Sequence, residues 1–275
     1  RRYRRNGRQS ILLRGNDQTH KQTYPSVVST QEIAETLLVY GKRNNHRVSV
    51  ANPVMGIDME AIIHPYMLGA WLGDGTSANG GLTCFDQPIL DYIEGLGYRL
   101  TKQKKSGYYN ITGLLQDLRE LGVLKNKHIP AHYLRLPVES RLELLRGLMD
   151  TDGSCLKNGA CEFSVVNQRL AHEFGDLIRG LGMVGVVRSG AAKLRGRVVG
   201  TRYRISFTPN CVAFHLPRKF MRQRISNKKR TDSRAIVLCR PVSSVPVRCI
   251  QVDSTSSLFL ASKSYIPTHN STWAN

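Results

Sequence analysis

Leu144-Leu145-Arg146-Gly147-Leu148-Met149-Asp150-Thr151-Asp152-Gly153 is an apolar run that closes on Asp-Gly, and Met67-Leu68-Gly69-Ala70-Trp71-Leu72-Gly73-Asp74-Gly75 repeats it upstream. Small residues at Gly69, Ala70 and Gly147 let two helix backbones approach closely, so the runs are expected to be helices packed face to face. His64-Pro65 supplies a proline for the first turn of the earlier helix. Ser140 and Glu143 have the spacing of a capping box for the later one. Gly75 and Gly153 follow the acids, where a helix commonly stops in a left-handed residue. Helices related by a pseudo-twofold axis would bring Asp74 and Asp152 together at one end.

Composition points to the partner. The chain has 275 residues, with 40 Lys and Arg against 20 Asp and Glu, a formal charge of +20. That excess exceeds what solubility needs and suits a polyanion, nucleic acid first. No apolar run approaches the roughly 20 residues of a membrane span, and no signal peptide opens the sequence, so an intracellular, cytoplasmic location is expected. The six cysteines contain no C-x-x-C pair and are expected to be thiols in a reducing compartment.

Each apolar run opens a repeated plan. After Asp74 come a glycine turn (Asn79-Gly80-Gly81), a short strand from Leu82 and a helix ending at Gly97; after Asp152 come Asn158-Gly159, a strand over 160–166 and a helix ending at Gly182. Further strands are expected over 107–112 in the first half, and over 186–189 and 202–208 in the second. The fold class is therefore α+β, with two pseudo-symmetric lobes carrying small antiparallel sheets. Ser29 and Glu32 form a capping box for a short helix to Tyr40. The basic arm before it reads equally as solvated or phosphate-contacting.

Between Leu177 and Ile250 cations far outnumber acids. Arg195, Arg197, Arg202 and Arg204 fall on a hairpin with Val198, Tyr203 and Ile205 facing the other way, and Arg222, Arg224, Lys228 and Lys229 follow. A twisted ribbon of arginines fits the major groove of duplex DNA.

Read against the motif of that name, LRGLMDTDG (145–153) and MLGAWLGDG (67–75) resemble the two-motif LAGLIDADG homing endonucleases carried inside inteins. The resemblance implies site-specific double-strand DNA cleavage at the host allele lacking the insertion, by a monomer with two lobes. It makes Asp74 and Asp152 the metal-binding catalytic carboxylates, with Mg²⁺ as cofactor and two or more ions expected with DNA bound. Leu72 stands where the second copy has Asp150, so only the last acid is common to both. Lys127 falls on the family's K-x-I-P position, which contacts the water network at the scissile phosphate. Lys219, in Leu216-Pro217-Arg218-Lys219, is its approximate counterpart, for which a phosphate contact stands beside a catalytic role. A binding-only regulator or an RNA maturase of the same fold is the alternative function.

The tail resembles the C-terminal splicing blocks of an intein. Two apolar strands, around Cys249–Val252 and Leu258–Ala261, precede Tyr265-Ile266-Pro267-Thr268-His269-Asn270-Ser271. Asn270 would attack its own backbone carbonyl, His269 would polarise that carbonyl, and Ser271 would be the nucleophile that receives the N-terminal flank. Asp253 reads equally as an assisting acid or a turn residue. Residue 1 is not Cys or Ser, and Thr19-His20 lacks the Thr-x-x-His spacing, so the N-terminal splicing blocks are expected to be missing. The expected organisation is 1–58 as basic arm and connector, 59–240 as endonuclease with lobes meeting near 136, 241–270 as part of an all-β Hint-like splicing domain, and 271–275 as C-extein. The Ser271-Thr272 pair would suit the end of a GK[ST] loop, which makes a P-loop ATPase such as a helicase or a viral packaging ATPase the expected extein host.

Overall fold

A computed structural model of the chain describes residues 27–39, 41–225, 233–246 and 250–269. The chain divides into two compact units, one of Asn52–Asn227 and one that joins Arg1–Ala51 to Lys228–Asn275.

In the second of these, α1 (Thr30–Glu35) starts on the Ser29/Glu32 capping box, with each side chain bonded to the other residue's amide. A two-stranded turn, β1 (Leu38–Val39) and β2 (Arg43–Asn44), leads to β3 (Arg47–Ser49).

The unit of Asn52–Asn227 contains the repeat. Its first half runs α2 (Pro65–Asp74), β4 (Leu82–Thr83), α3 (Gln87–Gly95), β5 (Leu100–Lys102), β6 (Tyr108–Ile111) and α4 (Leu114–Glu120). After a 3-10 turn (Tyr133–Arg135), the second half runs α5 (Val138–Thr151), β7 (Gly153–Cys155), β8 (Cys161–Val165), α6 (Gln168–Gly180), β9 (Gly185–Leu194), β10 (Arg197–Phe207) and α7 (Pro217–Phe220). The antiparallel sheets have matching orders, β4-β6-β5 and β7-β8-β10-β9. A single bridge, Gly75 to Leu82, stands in the first half where β7 pairs β8 from Gly153 to Phe163. One core fills both halves, with Trp71, Tyr66, Leu145, Phe163 and Phe174 fully buried. Phe163 stacks on Phe174, its ring centroid 4.2 Å away, which fixes α6 against the second sheet.

The remaining strands return to the other unit. β11 (Ser233–Ala235) pairs β3, and β12 (Leu258–Ala261) pairs β13 (Ile266–His269). Among the described residues no helix is long and apolar enough to cross a membrane, and the described cysteines are free thiols.

The boundaries differ from expectation in several places. Helix α1 ends at Glu35 rather than near Tyr40, and the repeat's unit ends at Asn227 rather than at 240, since β11 pairs β3 in the other unit. The connector 52–58 belongs with the repeat, because Val54 and Ile57 bond Gly180 and Arg135, and the buried Arg141 guanidinium donates to Val54, Leu136 and Gly180 carbonyls. Helix α5 starts at Val138 behind Pro137, so Ser140 lies inside it and caps nothing. Neither Gly75 nor Gly153 is left-handed: Gly75 is extended at φ −73°. Their reason is space, since a Cβ would fall 2.3 Å from the Trp71 carbonyl oxygen at Gly75 and 2.5 Å from that of Met149 at Gly153.

Candidate active site and nucleic-acid interface

Helices α2 and α5 touch backbone to backbone. A Cβ on Gly69 would lie 2.4 Å from the Leu144 carbonyl oxygen, and one on Gly147 would lie 2.2 Å from that of Tyr66. Only glycine allows this approach. His64 caps α2 through Nδ1, which accepts from the Tyr66 amide at 3.3 Å, and Pro65 occupies the first turn. The pair therefore ends with Asp74 as the last residue of α2 and Asp152 as the cap of α5.

The two carboxylates share one electrostatic environment. Burial and then the Asp74 charge push Asp152 up to about 6, while Lys127 and Lys219 oppose the shift. Asp74 is also raised, first by burial, with both lysines again opposing and Asp86 adding to it. The structure thus brings Asp74, Asp152, Lys127 and Lys219 together.

The lysines occupy equivalent places. Lys127 Nζ donates to the Gly73 carbonyl at 2.9 Å and lies 5.1 Å from the centroid of the Trp71 ring. Burial lowers it to about 8 against the pull of Asp152 and Asp74. Its loop is pinned from α6, where Asn167 donates to the Lys127 carbonyl and Glu173 accepts the Ile129 amide, both at 2.7 Å. Lys219 Nζ is buried over the end of α5, with the carbonyl oxygens of Met149, Asp150, Thr151 and Gly153 at 2.7–3.0 Å. Gly73 and Thr151 hold the same position in the two sequence copies, so each lysine binds the carbonyl just before its acid. Lys219 is the more enclosed and spends its donors as a helix cap.

Sequence reasoning missed the network that carries Lys219 to that place. The buried Asp150 carboxylate accepts from the His215 and Leu216 amides and from the Tyr66 hydroxyl. Those amides begin α7, whose Lys219 returns to the Asp150 carbonyl. Beside it Glu143 accepts from Arg146, Tyr92 and His215; these bonds hold it down to about 2 although burial alone would raise it. His215 stacks on Tyr92 at 4.3 Å. The available signal was Asp150 itself, an acid inside an apolar helix run, which needs partners.

A cleft of about 510 Å³ opens beside Asp152 and is lined also by Gly73, Lys127, Asn167, Ser164 and Arg202. Ser164 and Arg202 stand on the face of the second sheet away from the core, because Phe163, Ile205 and Phe207 fill the opposite one. Val199 is an extra residue between Val198, opposite Lys193, and Gly200, opposite Ala192. This bulge changes the alternation, so Arg197 shares the outer face with Arg202, Arg204 and Arg188, while Val198, Tyr203 and Ile205 share the other. Arg195 sits at the tip with φ 48°. Arg222 and Arg224 are exposed after α7. His269 ends β13 opposite Leu258. Lys228, Lys229, Asn270 and Ser271 lie outside the described residues.

No family model matches the chain. Over 263 residues it is 41% identical to a replicative DNA helicase DnaB of Mycobacterium intracellulare, covering 94% of this chain and 44% of that protein. A 42-residue stretch, 14% of the chain, is 55% identical to DnaB of Mycobacterium leprae (strain TN) and covers 7% of it. The chain thus spans less than half the length of the curated relatives it matches. Among solved structures, mesophilic variants of the homing endonuclease I-DmoI align with a TM-score of 0.36 and 13% identity, over 53% of this chain and 88% of theirs. An I-DmoI variant in complex with its target DNA in the presence of manganese gives the same score and identity, over 53% and 86%.

Proposed function

We propose that this chain is a site-specific double-strand DNA endonuclease of the LAGLIDADG type, embedded in an intein within a DnaB-type helicase. The observation that carries the reading is the convergence of Asp74 and Asp152, each with its own lysine, at the end of two glycine-packed helices in a twice-repeated topology. Both acids come from one chain, so a monomer completes the site.

The donor set suits Mg²⁺ shared with a phosphate. Among the described residues no three His, Cys, Asp or Glu side chains gather as a closed cage. Two electrostatically coupled carboxylates are what an ion needs when it keeps its waters and takes its other ligands from substrate phosphate. Bound there, Mg²⁺ would supply charge stabilisation on phosphate oxygens and an acidified water. Asp74 and Asp152 would hold it, and Lys127, protonated below about 8, would set positive charge beside the phosphate. Arg202 and its neighbours on the outer face would hold the duplex over the cleft.

Two features support the insertion reading. The chain matches a helicase sequence but contains no G-x-x-x-x-G-K-[ST] loop of its own. Strands β3 and β11, from either side of 52–227, pair in the same unit, as expected when a nuclease unit interrupts a splicing domain. That domain would be the Hint-like one, with His269, Asn270 and Ser271 at its downstream junction.

The test is cleavage of a duplex spanning the uninterrupted helicase allele, with and without Mg²⁺. Cutting by the parent and none by Asp74→Asn or Asp152→Asn, with affinity kept within about tenfold, is the expected result, because phosphate contacts dominate binding. Binding without cutting by the parent would leave a DNA-binding regulator, and full-rate cutting by the double variant would remove the site assignment.

A further inference from the structure

The sheets that the repeat makes equivalent present very different outer faces. In the first half, Leu82, Leu100, Tyr109 and Ile111 take the core side, because Leu82 pairs Tyr109 and Leu100 pairs Ile111. The outward residues are then Thr83 beside Tyr108 and Thr101 beside Asn110, all uncharged. In the second half the outward residues include Arg188, directly opposite Arg204, together with Arg202 and Arg197. Glu162 also faces outward, holding the Ser206 hydroxyl at 3.2 Å.

Length separates them further. Strand β10 has 11 residues and β9 has 10, whereas β6 has 4 and β5 has 3. At about 3.3 Å per residue β10 spans roughly 36 Å, close to the roughly 34–36 Å of one turn of duplex DNA. Strand β6 spans roughly 13 Å, about four base pairs. The first half is not without cations: Arg99 precedes β5 on the face of Thr101, Lys102 ends that strand, and Lys104 and Lys105 follow in the turn to β6, all exposed. Lysines at a tip meet phosphates, which positions a duplex without reading it. Arginines ranked along a groove-length ribbon reach guanine O6 and N7, and an outward carboxylate can accept from a cytosine amino group.

We infer that this protein reads its DNA target asymmetrically: base discrimination is concentrated in the half-site under β9 and β10, over about ten base pairs, and the half-site under β4-β6-β5 is held through its backbone with little sequence preference. This rests on the endonuclease reading above. The half-site under β9 and β10 carries guanines opposite Arg188, Arg202 and Arg204, and the bulge at Val199 places Arg197 in the same row.

The experiment selects cleavable duplexes from a pool in which both flanks of the cut are randomised, with the full chain and Mg²⁺. One flank should return a defined, guanine-containing sequence, in which each changed guanine costs about 5- to 150-fold, and changes in the other flank should stay within about threefold. The variant Arg188→Ala/Arg202→Ala/Arg204→Ala should flatten the preference of the defined flank alone. Equal preference on both flanks, or flattening of the wrong one, overturns the inference while leaving the endonuclease intact. A pool in which nothing is bound or cut overturns the endonuclease reading, and this inference with it.

Discussion

Burial and the Asp74 carboxylate both oppose ionisation of Asp152, which titrates near 6. An acid whose folded pKa lies above its unfolded value of about 3.9 penalises the fold once pH exceeds the folded pKa, and the penalty disappears as pH falls through that window. Asp152→Asn should therefore raise the thermal midpoint at pH 8 by about 2–6 °C, on the order of 1–2 kcal/mol after allowing for solvent screening. The gap between variant and parent should close by pH 4. Adding Mg²⁺ should raise the parent's midpoint and leave the variant's unchanged, because only the parent offers both ligands. Thermal melts across pH, with and without the ion, check this; a variant less stable than the parent at pH 8 would show that the charge is already compensated. The lysines separate in the same way. Lys219 faces three carbonyls of α5 and that of Gly153 in β7, whereas Lys127 faces one carbonyl and an indole ring. Lys219→Met should cost about 3–5 kcal/mol in urea denaturation through orphaned buried acceptors, and Lys127→Met about 1–2 kcal/mol. Equal losses would mean that the enclosure of Lys219 contributes nothing extra.

At the scale of elements, the helices and their pairing were legible in the sequence because they rest on spacing: Gly69 and Gly147 mark the contact, and the acids mark the end. The hairpin was legible only in part. Expected strands over 186–189 and 202–208 became β9 and β10 of 10 and 11 residues. Gly190, Ala191, Ala192 and Gly200 carry no alternation to read, yet the cross-strand ladder runs through them. Three-residue β5 is too short for a pattern, and it forms because β6 is already there to pair it. The cap of α5 was misread because Pro137 ends the preceding chain as effectively as a serine would, and the tertiary contact of Arg141 with Leu136 fixes that turn. Arg197 and Arg202 differ by an odd number of positions, so sequence alternation alone would place them on opposite faces. Deleting Val199 would leave Arg197 and Arg202 four positions apart and still on one face, so the row is tested through the side chain itself: Arg197→Ala should remove one cation from the face of Arg202 and Arg204. The slope of log affinity against log salt should then shrink by about one unit as one cation leaves the DNA surface, with the fold's melting midpoint little changed because Arg197 is exposed. An unchanged slope would show that Arg197 does not touch DNA.

At the scale of the molecule, the proposed nuclease and splicing chemistries fall to different units, and the repeat was far more legible in the sequence than its frame. A repeat advertises itself, whereas the frame depends on β3 meeting β11 at a sequence separation of 186, which no local pattern reveals. What the frame does for splicing chemistry can be argued from its last strand. Pairing of Leu260 with Pro267 and of Leu258 with His269 fixes the backbone up to the residue before Asn270. In the proposed splicing chemistry, with His269 fixed on the strand before it, the Asn270 side-chain amide nitrogen would attack Asn270's own backbone carbonyl carbon. That step breaks the peptide bond to Ser271, leaves a succinimide on the new C-terminus and returns the proton to the departing amine. Because the reaction uses only groups flanking one bond, it does not require the upstream junction. Incubation of the full chain near neutral pH should release Ser271-Thr272-Trp273-Ala274-Asn275, seen by intact-mass spectrometry, and Asn270→Ala should keep it. Retention by both proteins would mean that β13 orders His269 without bringing it to bear on the scissile carbonyl, and loss from both would indicate hydrolysis unrelated to Asn270. A nuclease-dead Asp74→Asn/Asp152→Asn chain should release the tail at the parent's rate, since neither acid belongs to the unit that carries His269. A slowed release in that chain would show that the two chemistries are coupled through the fold.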